Sequence, residues 1–267
     1  MGIKTAGEVW AKAMSRAGRW IHGYTEYPSL IRGGHNTYQV IAAAEQVRAP
    51  VYKLDILVAL NQDGIDQHID EISEETVVIG DESLETSSVT GKVISAPILE
   101  EAKELGAVVL QNTIALGISA AQAGIDIEIL KEVIGEQLAD KEDLLEINFT
   151  ALDKGFSMHP NPSSKSLTKS ESNRIVLTGN EAVALGAISA GLDFFGTYPM
   201  TPASSVLHFL AAKQEQTGMI VRQTEDEISA INMCLGASFA GAKAMTGTSG
   251  GGMALMQETI SLAGMLE

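Results

Sequence analysis

The chain contains 267 residues, a length that usually corresponds to two domains. Hydrophobic residues make up 45% of it, which excludes disorder for most of the chain. Its 34 acidic residues outnumber its 18 Lys and Arg residues and give a formal net charge of −16. This charge argues against nucleic acid or an anionic membrane surface as the main partner.

The single cysteine, Cys234, excludes an internal disulfide framework and an iron–sulfur cluster held by this chain alone. It favours a reducing compartment, and we expect a cytoplasmic protein. The first residues lack the apolar core of a signal peptide, and no stretch is apolar and long enough to span a bilayer. Residues 253–267 resemble a helix in mid-course, so we expect the chain to be a fragment of a longer polypeptide.

The first half of the sequence predicts an α/β domain over residues 1–148 that lacks its first strand. Apolar residues at helical spacing predict a helix over 6–17, with Gly18 as its C-terminal cap. Asp126 is the expected N-cap of a later helix. The remaining predicted elements are strands at 19–25, 38–43, 54–60 and 76–80, and helices at 112–123 and 127–138.

Residues 149–173 are predicted to form a linker rich in Pro and Ser. Beyond it, alternating strands and helices predict a second parallel-sheet domain over 174–267, with its ligand at the carboxyl ends of the strands. The strands are expected at 174–178, 193–198, 219–222 and 244–248. The helices are expected at 181–190 with Asn180 as cap, from about Pro202, at 225–241, and after the glycine-rich loop 249–252.

The acidic triplet Glu225-Asp226-Glu227 is the first candidate for chemistry. Acidic residues at a helix N-terminus interact favourably with the helix dipole. This structural role is enough to explain Glu225 and Asp226. No charged residue occurs from 228 to 242, so we expect this helix to be buried on nearly all faces. A carboxyl group at the edge of such an apolar helix suits directed proton transfer, which makes Glu227 the catalytic candidate.

Two loops at predicted strand ends are further candidates. In the stretch from Tyr198 to Pro202, Thr201 can present its hydroxyl to a ligand or cap the next helix. The loop at Thr248, Ser249 and Gly250 can bring backbone N–H groups to an anion, or can serve close helix packing. It lacks the lysine of a P-loop and does not match a dinucleotide fingerprint.

The loop that contains Arg32, Gly33, Gly34 and His35 could hold an anionic substrate, or could be an ordered interface loop. The five histidines are widely spaced and show no metal-ligand pattern, so we predict no metal site in this chain.

Several motifs in sequence resemble one known family. The stretch EYPSLIRGGH at 26–35 looks like the signature of the gamma domain of 2-oxoacid:ferredoxin oxidoreductases. The stretches GNEAVALGA at 179–187, YPMTP at 198–202 and EDEISAINM at 225–233 look like the pyrimidine-type domain of their alpha subunit. Their order is similar to that of the fused gamma–alpha subunits of the 2-oxoglutarate-type enzymes.

The resemblance implies oxidative decarboxylation of a 2-oxo acid to an acyl-CoA, with thiamine diphosphate as cofactor, coenzyme A as co-substrate and ferredoxin as electron acceptor. Glu227 matches the glutamate that bonds the aminopyrimidine ring. Thr201 matches the substrate-contacting threonine, with Met200 in place of an isoleucine. Thr248, Ser249 and Gly250 are expected near the cofactor, and Tyr198 and Arg32 near the substrate.

The resemblance also implies a separate beta subunit that carries Mg²⁺ and the [4Fe-4S] cluster, so this chain alone should be inactive. The arginine that holds the substrate carboxylate is expected beyond residue 267. The alternatives are a non-catalytic fragment that binds the beta subunit, or another thiamine enzyme of the acetolactate synthase or transketolase type. Pyruvate and other 2-oxo acids stay open as substrates, with 2-oxoglutarate favoured by the fused architecture.

Overall fold

The computed structural model describes residues 2–26, 34–139, 141–163, 166–171 and 174–266. The chain divides into two compact units, Met1–Val176 and Leu177–Glu267. Each unit contains a three-stranded parallel sheet accompanied by helices. The predicted class, α/β with open parallel sheets, is confirmed.

The first unit combines a parallel sheet with a separate antiparallel pair of strands. The pair consists of β1 (Trp20–Glu26) and β2 (Thr37–Ala43). The parallel sheet has the order β3 (Ile56–Ala59), β4 (Val77–Asp81), β5 (Lys92–Ala96). The helices are α1 (Ile3–Arg16), α2 (Gln62–Asp66), α3 (Ile98–Glu104), α4 (Gln111–Ala123), α5 (Ile127–Gln137) and α6 (Glu142–Met158).

Helix α4 is buried along most of its length and packs against α6 at the centre of the first unit. Two glycines allow this approach. A Cβ atom on Gly155 would overlap the carbonyl oxygen of Ile114, and one on Gly117 would overlap the carbonyl oxygen of Leu152. Side-chain packing continues beside the crossing, where Leu152 is fully buried. The core of the first unit therefore depends on direct contact between two helix backbones.

The predicted linker boundary at residue 149 is wrong, because residues 149–158 form the second half of α6. Ala151 and Leu152 in this part of the helix are fully buried. The helical repeat of apolar residues continues to Phe156, and the Pro- and Ser-rich composition begins only at His159. The core-forming part of the first unit therefore extends ten residues further than predicted.

The segment after α6 is attached to the first unit by backbone hydrogen bonds. The N–H of Leu167 donates to the carbonyl of Gly124 over 2.6 Å, and the carbonyl of Leu167 accepts from Asp126 over 3.1 Å. The N–H of Ser170 donates to the carbonyl of Arg16 over 2.7 Å. In its described part, this polar segment is thus fixed by its backbone, which its side-chain composition did not predict.

The second unit contains the sheet order β7–β6–β8, in which β6 is central. Its strands are β6 (Phe194–Thr197), β7 (Ile220–Gln223) and β8 (Ala244–Met245). Its helices are α7 (Gly179–Ser189), α8 (Ser204–Thr217), α9 (Glu227–Phe239), α10 (Gly250–Leu255) and α11 (Gln257–Leu266). The core lies around Phe195, which is fully buried.

Several predicted boundaries in the second unit are wrong. The strand expected at 174–178 is an irregular segment, and the N-cap of α7 is Thr178 in place of Asn180. Thr178 and Glu181 form a reciprocal capping box, which satisfies more backbone donors than an asparagine cap would. Pro202 precedes α8 in a turn, and the single helix expected at the C-terminus is two helices, α10 and α11.

Helix α9 is also less buried than its composition predicted. It is buried at Glu227, Ala230 and Cys234, but the side chains of Met233 and Phe239 are 45% and 81% exposed. The sequence shows that a helix is apolar all round, but not which chain covers it.

Across the described residues, every helix falls short of the length and apolar character needed to cross a membrane.

Candidate functional site

Three loops of the second unit meet at one edge of its sheet. Because β6, β7 and β8 are parallel, their carboxyl ends lie on the same side. The stretch from Tyr198 follows β6, the acidic triplet follows β7, and the glycine-rich loop follows β8. The topology therefore brings together, at the position expected for a ligand site, motifs that are up to 54 residues apart in sequence.

The hydroxyl of Thr197 connects these loops. This side chain is 2% exposed and donates a hydrogen bond of 2.5 Å to the carbonyl of Gly247. The carbonyl of Thr197 accepts from the N–H of Thr224 over 3.0 Å. One buried residue at the end of the central strand thus fixes the starts of the other two loops.

The acidic triplet divides into two structural residues and one free carboxyl group. Asp226 is the N-cap of α9, and its side chain accepts from the N–H of Ser229 over 2.7 Å. Glu225 is exposed and accepts from the Ser229 hydroxyl over 3.3 Å. Glu227 is 6% exposed, and no residue in the described ranges donates a hydrogen bond to its carboxyl group. Among the three acidic residues, only Glu227 therefore has a carboxyl group that is buried and lacks a hydrogen-bond donor among the described residues.

The glycine-rich loop lies directly against Glu227. Gly252 is buried, and a Cβ atom placed on it would be 2.7 Å from Cγ and 2.9 Å from Oε1 of Glu227. The same Cβ would overlap Oγ1 of Thr248. Glu227 and Thr248 therefore both lie against the side of Gly252 from which a side chain would project.

Two threonine hydroxyls in this region are buried without a partner. Oγ1 of Thr246 and Oγ1 of Thr248 have no hydrogen-bond partner among the described residues. A buried hydroxyl left unpaired costs about 1–3 kcal/mol. A ligand or water can complete the hydrogen bonds of such groups, so these two hydroxyls make the loop after β8 a candidate binding site.

Both threonines belong to the lining of an open cleft of about 570 Å³. It is lined by Pro202, Thr246, Gly247, Thr248, Ser249, Gly250, Met253 and Met256. The two methionines give one wall apolar, polarizable surface of the kind that packs well against a flat ring. Glu227 is not among the lining residues but lies next to two residues of the same loop, Thr248 and Gly252.

The predicted site residues differ in how close they lie to the cleft. Thr248, Ser249 and Gly250 line the cleft, and Glu227 adjoins it through Thr248. Tyr198 is half-buried and Thr201 is exposed, both on the loop whose Pro202 reaches the cleft.

Arg32 lies outside the described residues. Thr246 was not predicted as a site residue, because it was assigned to a longer β8. The contact between Gly252 and Glu227 was not predicted either.

The lone cysteine lies on the buried face of α9, behind the site. Its Sγ donates to the carbonyl of Met245 over 3.2 Å and contacts the carbonyl of Gly196 at 3.6 Å. Burial raises the pKa of the Cys234 thiol, against a smaller opposite effect of the Gly196 contact. Cys234 is therefore a neutral packing residue of the α9–β6 contact rather than a nucleophile.

Comparison with known families covers both units. Residues 1–158 match the family described as pyruvate ferredoxin/flavodoxin oxidoreductase. Residues 185–267 match the thiamine diphosphate-binding model of pyruvate flavodoxin/ferredoxin oxidoreductase.

Similar proteins carry related names. The chain is 29% identical over 325 aligned residues to the alpha subunit of a 2-oxoacid:ferredoxin oxidoreductase from Sulfolobus, covering 100% of this chain and 51% of the relative. It is 48% identical over 92 residues to the 2-oxoglutarate synthase subunit KorA of Archaeoglobus fulgidus, covering 34% of this chain and 27% of the relative. The chain thus spans about half the length of the relative that it matches throughout.

A solved structure also resembles this chain over both units. It is the 2-oxoglutarate:ferredoxin oxidoreductase from Magnetococcus marinus, with 2-oxoglutarate, coenzyme A and succinyl-CoA bound. The TM-score is 0.82 at 33% sequence identity, covering 96% of this chain and 46% of that chain.

Proposed function

Since the chain belongs to the pyruvate ferredoxin/flavodoxin oxidoreductase family, we propose that it is part of the alpha subunit of a 2-oxoacid:ferredoxin oxidoreductase. The proposed reaction is the CoA-dependent oxidative decarboxylation of a 2-oxo acid, with 2-oxoglutarate as the substrate and ferredoxin as the electron acceptor. One observation carries the proposal above the others: the buried, unpaired carboxyl group of Glu227 lies at the strand ends of the unit that matches a thiamine diphosphate-binding model.

The residues around the cleft fit thiamine diphosphate. Thr246 and Thr248 line the cleft and carry hydroxyls without a partner among the described residues, and Met253 and Met256 add apolar lining. The chemistry that this cofactor supplies when bound is the stabilisation of a carbanion next to the decarboxylating carbon. Mg²⁺ and a [4Fe-4S] cluster are proposed to belong to the partner beta subunit, with coenzyme A as co-substrate.

Glu227 is proposed to hold a proton against the aminopyrimidine ring. Its carboxyl group can share a proton with a ring nitrogen, and this charge-assisted hydrogen bond would be strong because the Glu227 side chain is buried. The rigid start of α9, fixed by the Asp226 cap, keeps the carboxyl group in place for this role. Proton transfer by a positioned group typically contributes about 10²–10⁴-fold to the rate.

Tyr198 and Thr201 are proposed to contact the substrate. Thr201 is exposed, and its loop borders the cleft through Pro202, so a substrate can reach the hydroxyl from solvent. Arg32 is proposed as a substrate-binding residue on the family resemblance alone.

The exposed apolar side chains of the second unit support the proposed beta partner. Phe239 on α9 and Met265 on α11 are 81% and 79% exposed. Apolar helix surface of this kind is typical of an interface with another protein surface.

The test uses the intact alpha subunit purified with its beta partner. Glu227→Gln keeps the size of the side chain and removes its charge, and we expect turnover to fall about 10²–10⁴-fold. Glu225→Gln is the matched control, since this exposed neighbour only accepts from Ser229. CoA-dependent viologen or ferredoxin reduction is measured anaerobically with 2-oxoglutarate and with pyruvate.

Normal turnover in Glu227→Gln would remove Glu227 from the proposed role. Faster reduction with pyruvate would correct the substrate. A complex that holds cofactor and cluster yet reduces nothing with either acid would favour the non-catalytic assembly role.

A further inference from the structure

The glycine-rich loop contains three consecutive glycines that have different surroundings. A Cβ atom on Gly250 or Gly251 would meet nothing within 4 Å. A Cβ atom on Gly252 would overlap Oγ1 of Thr248 and lie 2.7 Å from Cγ of Glu227, closer than Cβ atoms approach other atoms in real structures. Only the third position therefore requires a residue without a side chain.

The requirement at Gly252 is one of space and not of backbone conformation. Gly252 is not among the glycines with positive φ, so an L-residue could adopt its backbone angles without strain. It lies in the first turn of α10, where alanine would otherwise favour the helix. The missing side chain is therefore explained by its contacts with Glu227 and Thr248.

We propose that Gly252 is the positioning residue for Glu227, an inference that rests on the role proposed above for this glutamate. Its bare Cα lets the backbone of α10 press against the Glu227 side chain and hold it in one conformation. Glu227 cannot retreat along its own helix, because the Asp226 cap fixes the start of α9. Contact from α10 and the cap from α9 together fix where the carboxyl group lies.

The test compares Gly252→Ala with Gly251→Ala in the intact enzyme with its beta partner. Gly251→Ala adds the same methyl group one residue earlier, where there is open space, so its turnover should stay within twofold of the parent. Gly252→Ala should lower turnover on the order of a hundredfold, as a displacement of about 1 Å does at a reacting centre. The KM for the 2-oxo acid should not change.

A double-mutant cycle separates positioning from general damage. If Gly252 acts through Glu227, then Gly252→Ala should change the residual turnover of Glu227→Gln by less than about twofold. A further loss as large as in the parent would overturn the inference and leave the proposed function intact. Normal turnover in Glu227→Gln alone would instead overturn the proposed function.

A measurement on the parent enzyme covers the case in which Gly252→Ala does not fold. A crystal structure with thiamine diphosphate bound should keep Cα of Gly252 in van der Waals contact with the Glu227 side chain. A water molecule or another side chain between them would overturn the inference.

Discussion

The two units bury their apolar residues to different degrees. The first unit contains large clusters of fully buried side chains around α4, α5 and α6. In the described part of the second unit, the main cluster surrounds Phe195, while α9 and α11 expose apolar side chains. Apolar side chains thus form the larger buried clusters in the first unit, while two helices of the second unit expose theirs.

The difference in burial between the two units has an energetic consequence. Removing apolar surface from water stabilises a fold by about 25 cal/mol per Å². The exposed apolar faces of α9 and α11 do not contribute this free energy to folding. These faces would gain this free energy only if another protein surface covered them. The first unit therefore contains the larger buried clusters, and the second unit leaves more apolar helix surface exposed.

The largest expected effect is the difference in stability between a variant of the buried core and a variant of the exposed helix α9. Leu152→Ala removes a fully buried side chain of α6 and should lower the free energy of unfolding by about 2–5 kcal/mol. Phe239→Ala removes an 81% exposed side chain and should change it by less than about 0.5 kcal/mol. Urea unfolding of the 267-residue chain measures both. A large loss in Phe239→Ala would contradict the contrast and show that this side chain is covered in solution.

A second pair of variants compares helix glycines in the two units. Gly155→Ala should destabilise the chain by about 1–3 kcal/mol, because its Cβ would overlap the backbone of α4. Gly236→Ala in α9 meets nothing within 4 Å and should stabilise by about 0.5–1 kcal/mol through helix propensity. Thermal unfolding midpoints check the two signs, and a loss of stability in Gly236→Ala would mean that α9 is packed.

The smallest effect concerns a histidine in the first unit. His159 is buried, Nε2 pairs with Oε1 of Gln122 over 2.8 Å, and Nδ1 accepts from the N–H of Asn161 over 3.1 Å. Burial lowers the pKa of His159 below its ordinary value. The unfolded chain therefore binds the proton more readily, and stability is lost as the pH falls from about 6.5 toward the lower folded pKa.

His159→Gln should flatten the decline in stability between pH 7 and 5, as measured by urea unfolding at several pH values. His208→Gln is the control, because His208 is exposed on α8. An unchanged decline in His159→Gln would assign the pH dependence to other groups.

Much of the fold follows from local patterns. The helical repeat of α1, the cap at Asp126 and the apolar runs of β3 and β4 predict their elements because each depends on neighbouring residues. Strand β5 was missed because its five residues include only two large apolar side chains. The segment from His159 was predicted as a free linker because its backbone hydrogen bonds have no signature in side-chain composition.

Part of the candidate site also follows from local patterns, and part does not. The order of strands and loops predicts that Glu227, Thr201 and Thr248 lie at one edge of the sheet. The contact between Gly252 and Glu227 arises from the approach of two helices, which no local pattern encodes. The exposure of α9 was mispredicted because an apolar sequence is the same whether its own chain or a partner covers it.

The position of Cys234 makes opening of the second unit measurable without an engineered labelling site. It is the single cysteine of the chain and it is buried between α9 and β6, so a thiol reagent reacts only when this contact opens. The raised pKa of the thiol slows reaction further in the closed state. The labelling rate therefore counts the openings of the unit that holds Glu227, while the first unit contributes no signal.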